Sequence, residues 1–337
     1  MKDILKRLCT EKGISGKESE MFEIIKELLD GKASVRKMSN GNIIAETGNA
    51  NSDYHIMLDA HIDRIGLTAT YIDDRGFVKA EPVGGMDLRA LPGSAVIING
   101  REDLLGVVCV MPPHLTKGEE TLSRDNIWVD TGLPAEKVKE LVSLGDSIIV
   151  KSNFREMLND TVSVSALDNR AGCAALIGCA GLLVGKELPC RVSFVFSSQE
   201  ETNESGAKTA AFELDPDEAV VVDVGFAKQE GVPSGKSGEL GCGAIISIAP
   251  VLSKKITDKL IDISHKLGAK CDFEVDGGNT GTNADGIAIS RGGVPCGVLS
   301  VPEKNMHTQT ETVYMGDIEK TAEILSVYIS EGGIRNA

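Results

Sequence analysis

The 337-residue chain is 42% hydrophobic and 25% charged, a globular composition without the polar, low-complexity bias of disorder, and it is long enough for two domains of unequal size. Fifty acidic residues against 35 basic ones give a formal charge of −15, which argues against nucleic acid or an anionic membrane as the main partner. The longest apolar-rich stretch, 172–185, is too short and too glycine-rich to span a bilayer, and Met1-Lys2-Asp3-Ile4 runs into a helix with no signal peptide, so a cytoplasmic protein is expected.

Apolar residues at helical spacing predict helices over 2–12 and 18–30, with Gly13 and Gly31 as stops. Strands are expected at 33–38, 42–47 and 54–59, the last running into Asp59-Ala60-His61-Ile62-Asp63. That places His61 and Asp63 just past a strand's carboxyl end, where ligands of open α/β sheets collect. From 66 to 162 short β runs (68–72, 77–82, 95–98, 105–110 and 147–150) are separated by Gly, Pro and Asp turns, with one helix at 134–141. This reads as a small β-barrel or sandwich inserted into a discontinuous α/β domain of residues 1–65 and 163–337.

The alternation of helix and strand then resumes. Helices are predicted at 169–184, 206–213, 253–267, 284–290 and 316–330, and strands at 191–196, 219–224, 271–275 and 294–300. The fold class is therefore α/β, a central mixed sheet covered by helices on both faces. Eight cysteines show no two-residue spacing and read as small buried hydrophobes of a reducing compartment.

Chemistry concentrates at Ser197-Ser198-Gln199-Glu200-Glu201, two adjacent acids after an apolar strand. If the stretch is extended, the two side chains point in opposite directions, one toward a metal and the other toward a water. Taken singly, each further candidate has a plain structural explanation, as Asp168 is placed to cap the helix that follows it. Their coincidence carries the argument, because His61, Asp168, Glu200-Glu201, Asp223 and His307 all fall at strand ends or strand–helix junctions. Imidazole and carboxylate without thiolate suit Zn, Co or Mn. Three acidic ligands, Asp168, Glu201 and Asp223, against two divalent ions leave one positive charge to hold a hydroxide.

The stretches Gly13-Ile14-Ser15-Gly16, Ala60-His61-Ile62-Asp63, Pro82-Val83-Gly84-Gly85-Met86-Asp87, Met111-Pro112-Pro113-His114, Ala166-Leu167-Asp168-Asn169-Arg170-Ala171-Gly172, Ser198-Gln199-Glu200-Glu201, Val222-Asp223-Val224-Gly225 and Met306-His307-Thr308 together resemble a known family. It is the tetrahedral, or TET-type, dinuclear metallo-aminopeptidases, also called cellulase M or glutamyl aminopeptidase. The resemblance implies two divalent ions per subunit, zinc first with cobalt or manganese as alternatives. His61 and Asp223 would bind one ion, Glu201 and His307 the other, and Asp168 would bridge. Asp63 would orient His61. Glu200 would be the general base on the water. The implied activity removes amino-terminal residues from short peptides, and the insert would build a homo-oligomer, in this family often a tetrahedral dodecamer.

The chain departs from the family at Arg64, where an acid is usual, at Thr202-Asn203-Glu204-Ser205 and at Pro302-Glu303-Lys304-Asn305. Those differences keep two alternatives in view: a metal-dependent deacylase of N-acyl amino acids, and a catalytically silent shell-forming homologue. A glycoside hydrolase would leave the two histidines unexplained. Gly231-Val232-Pro233-Ser234-Gly235-Lys236-Ser237 imitates a phosphate loop but is one residue short. The run 277–285 reads as a loop near the site that opens a helix. His55 and His265 read as structural, and His114 as an interface residue.

Overall fold

Three apolar runs without alternation, His55–His61, Glu218–Phe226 and Cys296–Lys304, are buried along nearly their whole length. That is the signature of parallel strands covered on both faces. They pair in parallel with one another and with Arg191–Ser197. The computed structural model describes residues 1–112, 114–115 and 122–335; Pro113 of the Met-Pro-Pro-His motif lies outside them.

The sheet runs Ser34–Lys37, Ile43–Gly48, Arg191–Ser197, His55–His61, Glu218–Phe226, Cys296–Lys304, Glu311–Tyr314, Thr161–Val164 and Arg155–Glu156, with Ile245–Ile248 and Asp272–Val275 branching from Cys296–Lys304. One face packs on the helices Leu167–Leu183 and Met315–Ser330, through residues such as Leu58, Val222, Leu176 and Leu325, and Lys2–Thr10 packs in turn on Leu167–Leu183. The other packs on Ser205–Leu214 and Asn283–Ala288, where Ala207, Ala211 and Ile287 meet Met57, Val195 and Val221. The mixed sheet between helical layers is the expected fold.

Six strands, Gly66–Ile72, Val78–Val83, Ile127–Asp130, Asp103–Val108, Ala95–Asn99 and Ser147–Val150, close a barrel in that order. Closure removes the free edges that short strands would otherwise expose. The barrel has its own core, including Leu67, Val96, Ile98, Val129 and Ile148. After Val150 the chain returns to the central sheet, because Arg155–Glu156 pairs with Thr161–Val164 and the latter with Glu311–Tyr314. The return therefore comes before residue 162, and these short strands carry no sequence signal of their own.

All eight cysteines are free, and seven are buried. Among the described residues no helix is long and apolar enough to cross a membrane.

Candidate metal centre

Strand register fixes the first part of the site. Ser197 lies opposite His61, and Val221 opposite Asp59, so Asp223, three residues before the end of the longer strand Glu218–Phe226, stands level with His61 at the end of its own. Asp168 arrives at the start of Leu167–Leu183, Glu200 and Glu201 after Arg191–Ser197, and His307 in the turn after Cys296–Lys304. Four residues beside or within the candidate ligand set have left-handed backbone, Ala166 (φ 67°), Gln199 (φ 60°), Asn305 (φ 58°) and His307 (φ 62°). Such strain outside glycine gathers where the surrounding fold enforces a particular side-chain direction.

The acids at 200 and 201 are not extended. Gln199 turns the chain into a short helix, Glu200–Asn203, so the two carboxylates diverge by a helical step rather than by strand alternation. Asp63 caps that turn. Its Oδ1 and Oδ2 accept the backbone N–H groups of Glu200 and Glu201 at 3.1 and 3.2 Å. The atom that orients His61 is the Asp63 main-chain oxygen, 3.1 Å from Nδ1, while the nearer carboxylate oxygen is 3.6 Å away.

His61 Nε2 stands 3.0 Å from Asp168 Oδ1, 3.7 Å from Asp223 Oδ1 and 3.9 Å from Glu200 Oε2. His307 Nε2 is 3.0 Å from Asp168 Oδ2 and 3.5 Å from Glu201 Oε1. Two sets of donors result, His61 with Asp168 and Asp223, and Asp168 with Glu201 and His307. Asp168 belongs to both.

The arrangement fits cations. His61 Nδ1 donates to Asp63 O and His307 Nδ1 donates to Gly85 O at 2.8 Å, which leaves both Nε2 lone pairs facing carboxylates. Asp168 Oδ1 and Glu201 Oε1 are buried without a hydrogen-bond partner among the described residues. Lone pairs converging on a buried gap repel unless a proton or a cation lies between them.

Protons fill that role in the metal-free protein. Burial would lower His61, but Glu200, Asp168, Asp223 and Asp63 raise it well above its ordinary value. His307 is pushed up to about 10, Asp168 outweighing burial. Burial and the neighbouring acids lift Glu200 to about 9 and Glu201 to about 8. Burial likewise raises Asp223. Asp168 moves the other way: the hydrogen bond with His307 Nε2 and the imidazole of His61 beside it overcome its burial and hold it well below the carboxylate range.

Three supporting elements had no assigned role in the sequence. Glu311 Oε1 accepts His307 N at 3.0 Å, and its Oε2 accepts Leu167 N at 2.7 Å, so one buried carboxylate ties together the loops that carry Asp168 and His307. Its spacing, four residues after His307, was the available signal. Gly84 and Gly85 bring the barrel against the centre: a Cβ on Gly85 would lie 3.0 Å from His307 Nδ1, and one on Gly84 3.2 Å from Glu201 Oε2. Asn283 donates to Asp59 Oδ2 at 2.7 Å and to Ser197 Oγ at 2.9 Å, anchoring the loop before it to two strands.

The centre opens into a cleft of 510 Å³, lined also by Thr202, Asn203, Glu204, Thr280, Gly281 and Thr282. The loop at 277–285 is thus at the site. Arg64 is not in the cleft wall. It is buried, donates through Nη2 to Ser165 Oγ at 2.7 Å and lines a smaller cavity behind His307 and Glu311. Glu303 is also buried, with neither carboxylate oxygen hydrogen-bonded among the described residues, and burial with Glu311 nearby raises its pKa well above the ordinary value. His55 bonds Ser193 Oγ at 2.8 Å in the core. Lys236 of the phosphate-loop imitation pairs with Asp276 at 2.8 Å, and its loop forms only a single turn, Ser234–Lys236.

A sequence profile described as M42 glutamyl aminopeptidase matches residues 41–324. The lysyl aminopeptidase of Pyrococcus furiosus is 29% identical over 98% of this chain and 96% of its own. Among solved structures, a Pyrococcus horikoshii TET1 peptidase, described as able to assemble into a tetrahedron or a large octahedral shell, has a TM-score of 0.87 at 31% identity over 98% of this chain and 99% of that one. An aminopeptidase of the archaeon Desulfurococcus kamchatkensis has a TM-score of 0.92 at 26% identity, covering 98% and 94%.

Proposed function

The chain belongs to the M42 glutamyl aminopeptidase family and is a hydrolytic aminopeptidase, and from that premise we propose that it removes amino-terminal residues from short peptides at a centre of two divalent ions sharing Asp168. The observation that carries this reading is the pair of donor sets meeting at one carboxylate. His61 and Asp223 would hold one ion and Glu201 and His307 the other. The donors suit zinc first, with cobalt or manganese as alternatives. Bound there, the ions supply Lewis acidity toward the scissile carbonyl and the attacking water.

The protein's own groups do the rest. Glu200, 3.9 Å from His61 Nε2 and lining the cleft, takes a proton from the attacking water and returns it to the departing amine. Glu200 belongs to neither donor set, so its carboxylate stays free to accept that proton and give it back. Asp63 holds the turn that aims Glu200 and Glu201, and Gly85 and Asp63 fix the imidazoles through their Nδ1 atoms.

The barrel between Gly66 and Val150 serves self-association. Leu105, Val107, Val110, Met111 and Leu115 are exposed on or just beyond its strands, apolar side chains that a partner surface would cover. We assign a homo-oligomer, in the form of a tetrahedral dodecamer, working on short peptides in the cytoplasm.

Initial rates on matched free and N-acetylated aminoacyl chromogenic amides, with chelated protein reloaded with Zn, Co or Mn, test the reading. Turnover of the free series alone is expected. Turnover confined to the acetylated series would instead establish a deacylase.

A further inference from the structure

Two acids line the cleft without belonging to either donor set. Glu204 stands at the left-handed joint (φ 57°) between Glu200–Asn203 and Ser205–Leu214, against Gly286 of the facing helix. Glu274 lies on the edge strand Asp272–Val275 and turns inward, half-buried, while its neighbours Phe273 and Val275 face solvent. Both appear in the wall of the 510 Å³ cavity together with the metal-centre residues.

Among the described residues that wall contains no lysine or arginine. The lysines that act on these two acids lie outside the wall, Lys236 paired with Asp276 and Lys208 on the exposed side of its helix. Two divalent ions would hold the ligand carboxylates Asp168, Glu201 and Asp223, whereas Glu204 and Glu274 are in neither donor set and form no salt bridge among the described residues, Lys208 and Lys236 acting on them only through space. Phe226, 41% exposed, and Met306 add apolar surface in the same cleft, suited to a methylene stem ending in a charge.

We propose that the cleft selects peptides whose amino-terminal residue is lysine or arginine, with Glu204 and Glu274 facing the cationic end of that side chain. The assignment rests on the aminopeptidase reading. A substrate's α-ammonium is common to every free peptide and does not rank side chains, so wall charge acts on the side chain itself.

The test compares lysyl, arginyl, methionyl, leucyl and glutamyl 4-nitroanilides on full-length, zinc-reloaded protein. Lysyl kcat/KM is expected to exceed methionyl by about tenfold, as partly exposed charge pairs permit, and glutamyl to be poorest. The preference should shrink as salt rises from about 0.05 to about 0.5 M, because solvent-facing charges are screened over that range. Glu204→Gln with Glu274→Gln should lower the lysyl-to-methionyl ratio at least about fivefold, and Glu274→Lys should raise glutamyl relative to lysyl turnover. Circular dichroism and bound zinc establish that each variant folds and loads. Turnover of neutral amides as fast as the basic ones, or a ratio unmoved in the folded double variant, overturns the basic preference and leaves the aminopeptidase reading intact. Absence of turnover on every amide overturns both.

Discussion

Loading the centre with metal should expel protons. A ligand must present a lone pair to a cation, yet in the metal-free fold three ligands hold protons at neutral pH. His307 is raised to about 10, where Asp168 overrides burial. Glu201 is raised to about 8 by burial and Asp168. His61 is raised well above its ordinary value, the surrounding carboxylates outweighing burial. Filling both positions at pH 7 should therefore release about two to three protons per chain. Calorimetric titration with zinc in two buffers of different ionisation enthalpy gives that number as a slope. Binding with no proton release would refute the assignment of these three residues as ligands.

The same shifts set a stability window. Between the unfolded carboxyl value of 4.5 and the raised values of Glu200 (about 9) and Glu201 (about 8), the folded metal-free protein binds more protons than the unfolded chain. Stability then falls as pH rises, by about 1.4 kcal/mol per pH unit for each proton held in excess. His307 acts in the same direction from 6.5 upward, its contribution full below that value and lost as pH passes through about 10. Chelated protein should lose Tm steadily from pH 6.5 to 8, while metal-loaded protein, whose ligands carry no such protons, should hold its Tm over the same window.

Other perturbations separate the supporting residues. Glu311→Ala strips the acceptor from His307 N and Leu167 N, so Tm should fall, and zinc affinity measured by competition with a chelating dye should drop about 10- to 100-fold. Gly85→Ala places a methyl 3.0 Å from His307 Nδ1, and metal analysis after dialysis should find one ion retained and the other lost. Asp63→Asn keeps one acceptor for two N–H groups and turns an amide donor toward them, so kcat/KM should fall about 10- to 100-fold, with rescue absent when zinc is raised. Unchanged kcat/KM would show that Glu200 is aimed without Asp63.

What was legible in the sequence follows from where the information sits. His61 and Asp223 were placed by strand pattern alone, because the carboxyl ends of parallel strands sit at one edge of a sheet. The barrel was legible as a run of short strands, but Ile127–Asp130 within it and Thr161–Val164 in the central sheet were not. The geometry of Glu200 and Glu201 was misread because the chain turns at Gln199, a residue with no intrinsic preference for left-handed backbone. Glu311 and Asp63 act on backbone N–H groups brought together only by the fold: spacing hinted at the Glu311–His307 contact, but nothing local pointed to Leu167 as a partner of Glu311 or to the Glu200 and Glu201 amides as partners of Asp63. Arg64 stood out only as a departure from the family next to His61 and Asp63; its side chain turns toward Ser165 and lines a smaller cavity shared with His307 and Glu311.

The measurement that bears most directly on the central claim is metal content and turnover on one preparation, wild type beside Glu200→Gln, each chelated and reloaded with zinc. Two ions per chain in both proteins, with hydrolysis of free aminoacyl amides in the wild type only, is the predicted result. Hydrolysis retained by Glu200→Gln, or fewer than two ions in a folded and active wild type, would contradict a dinuclear centre with Glu200 as its base.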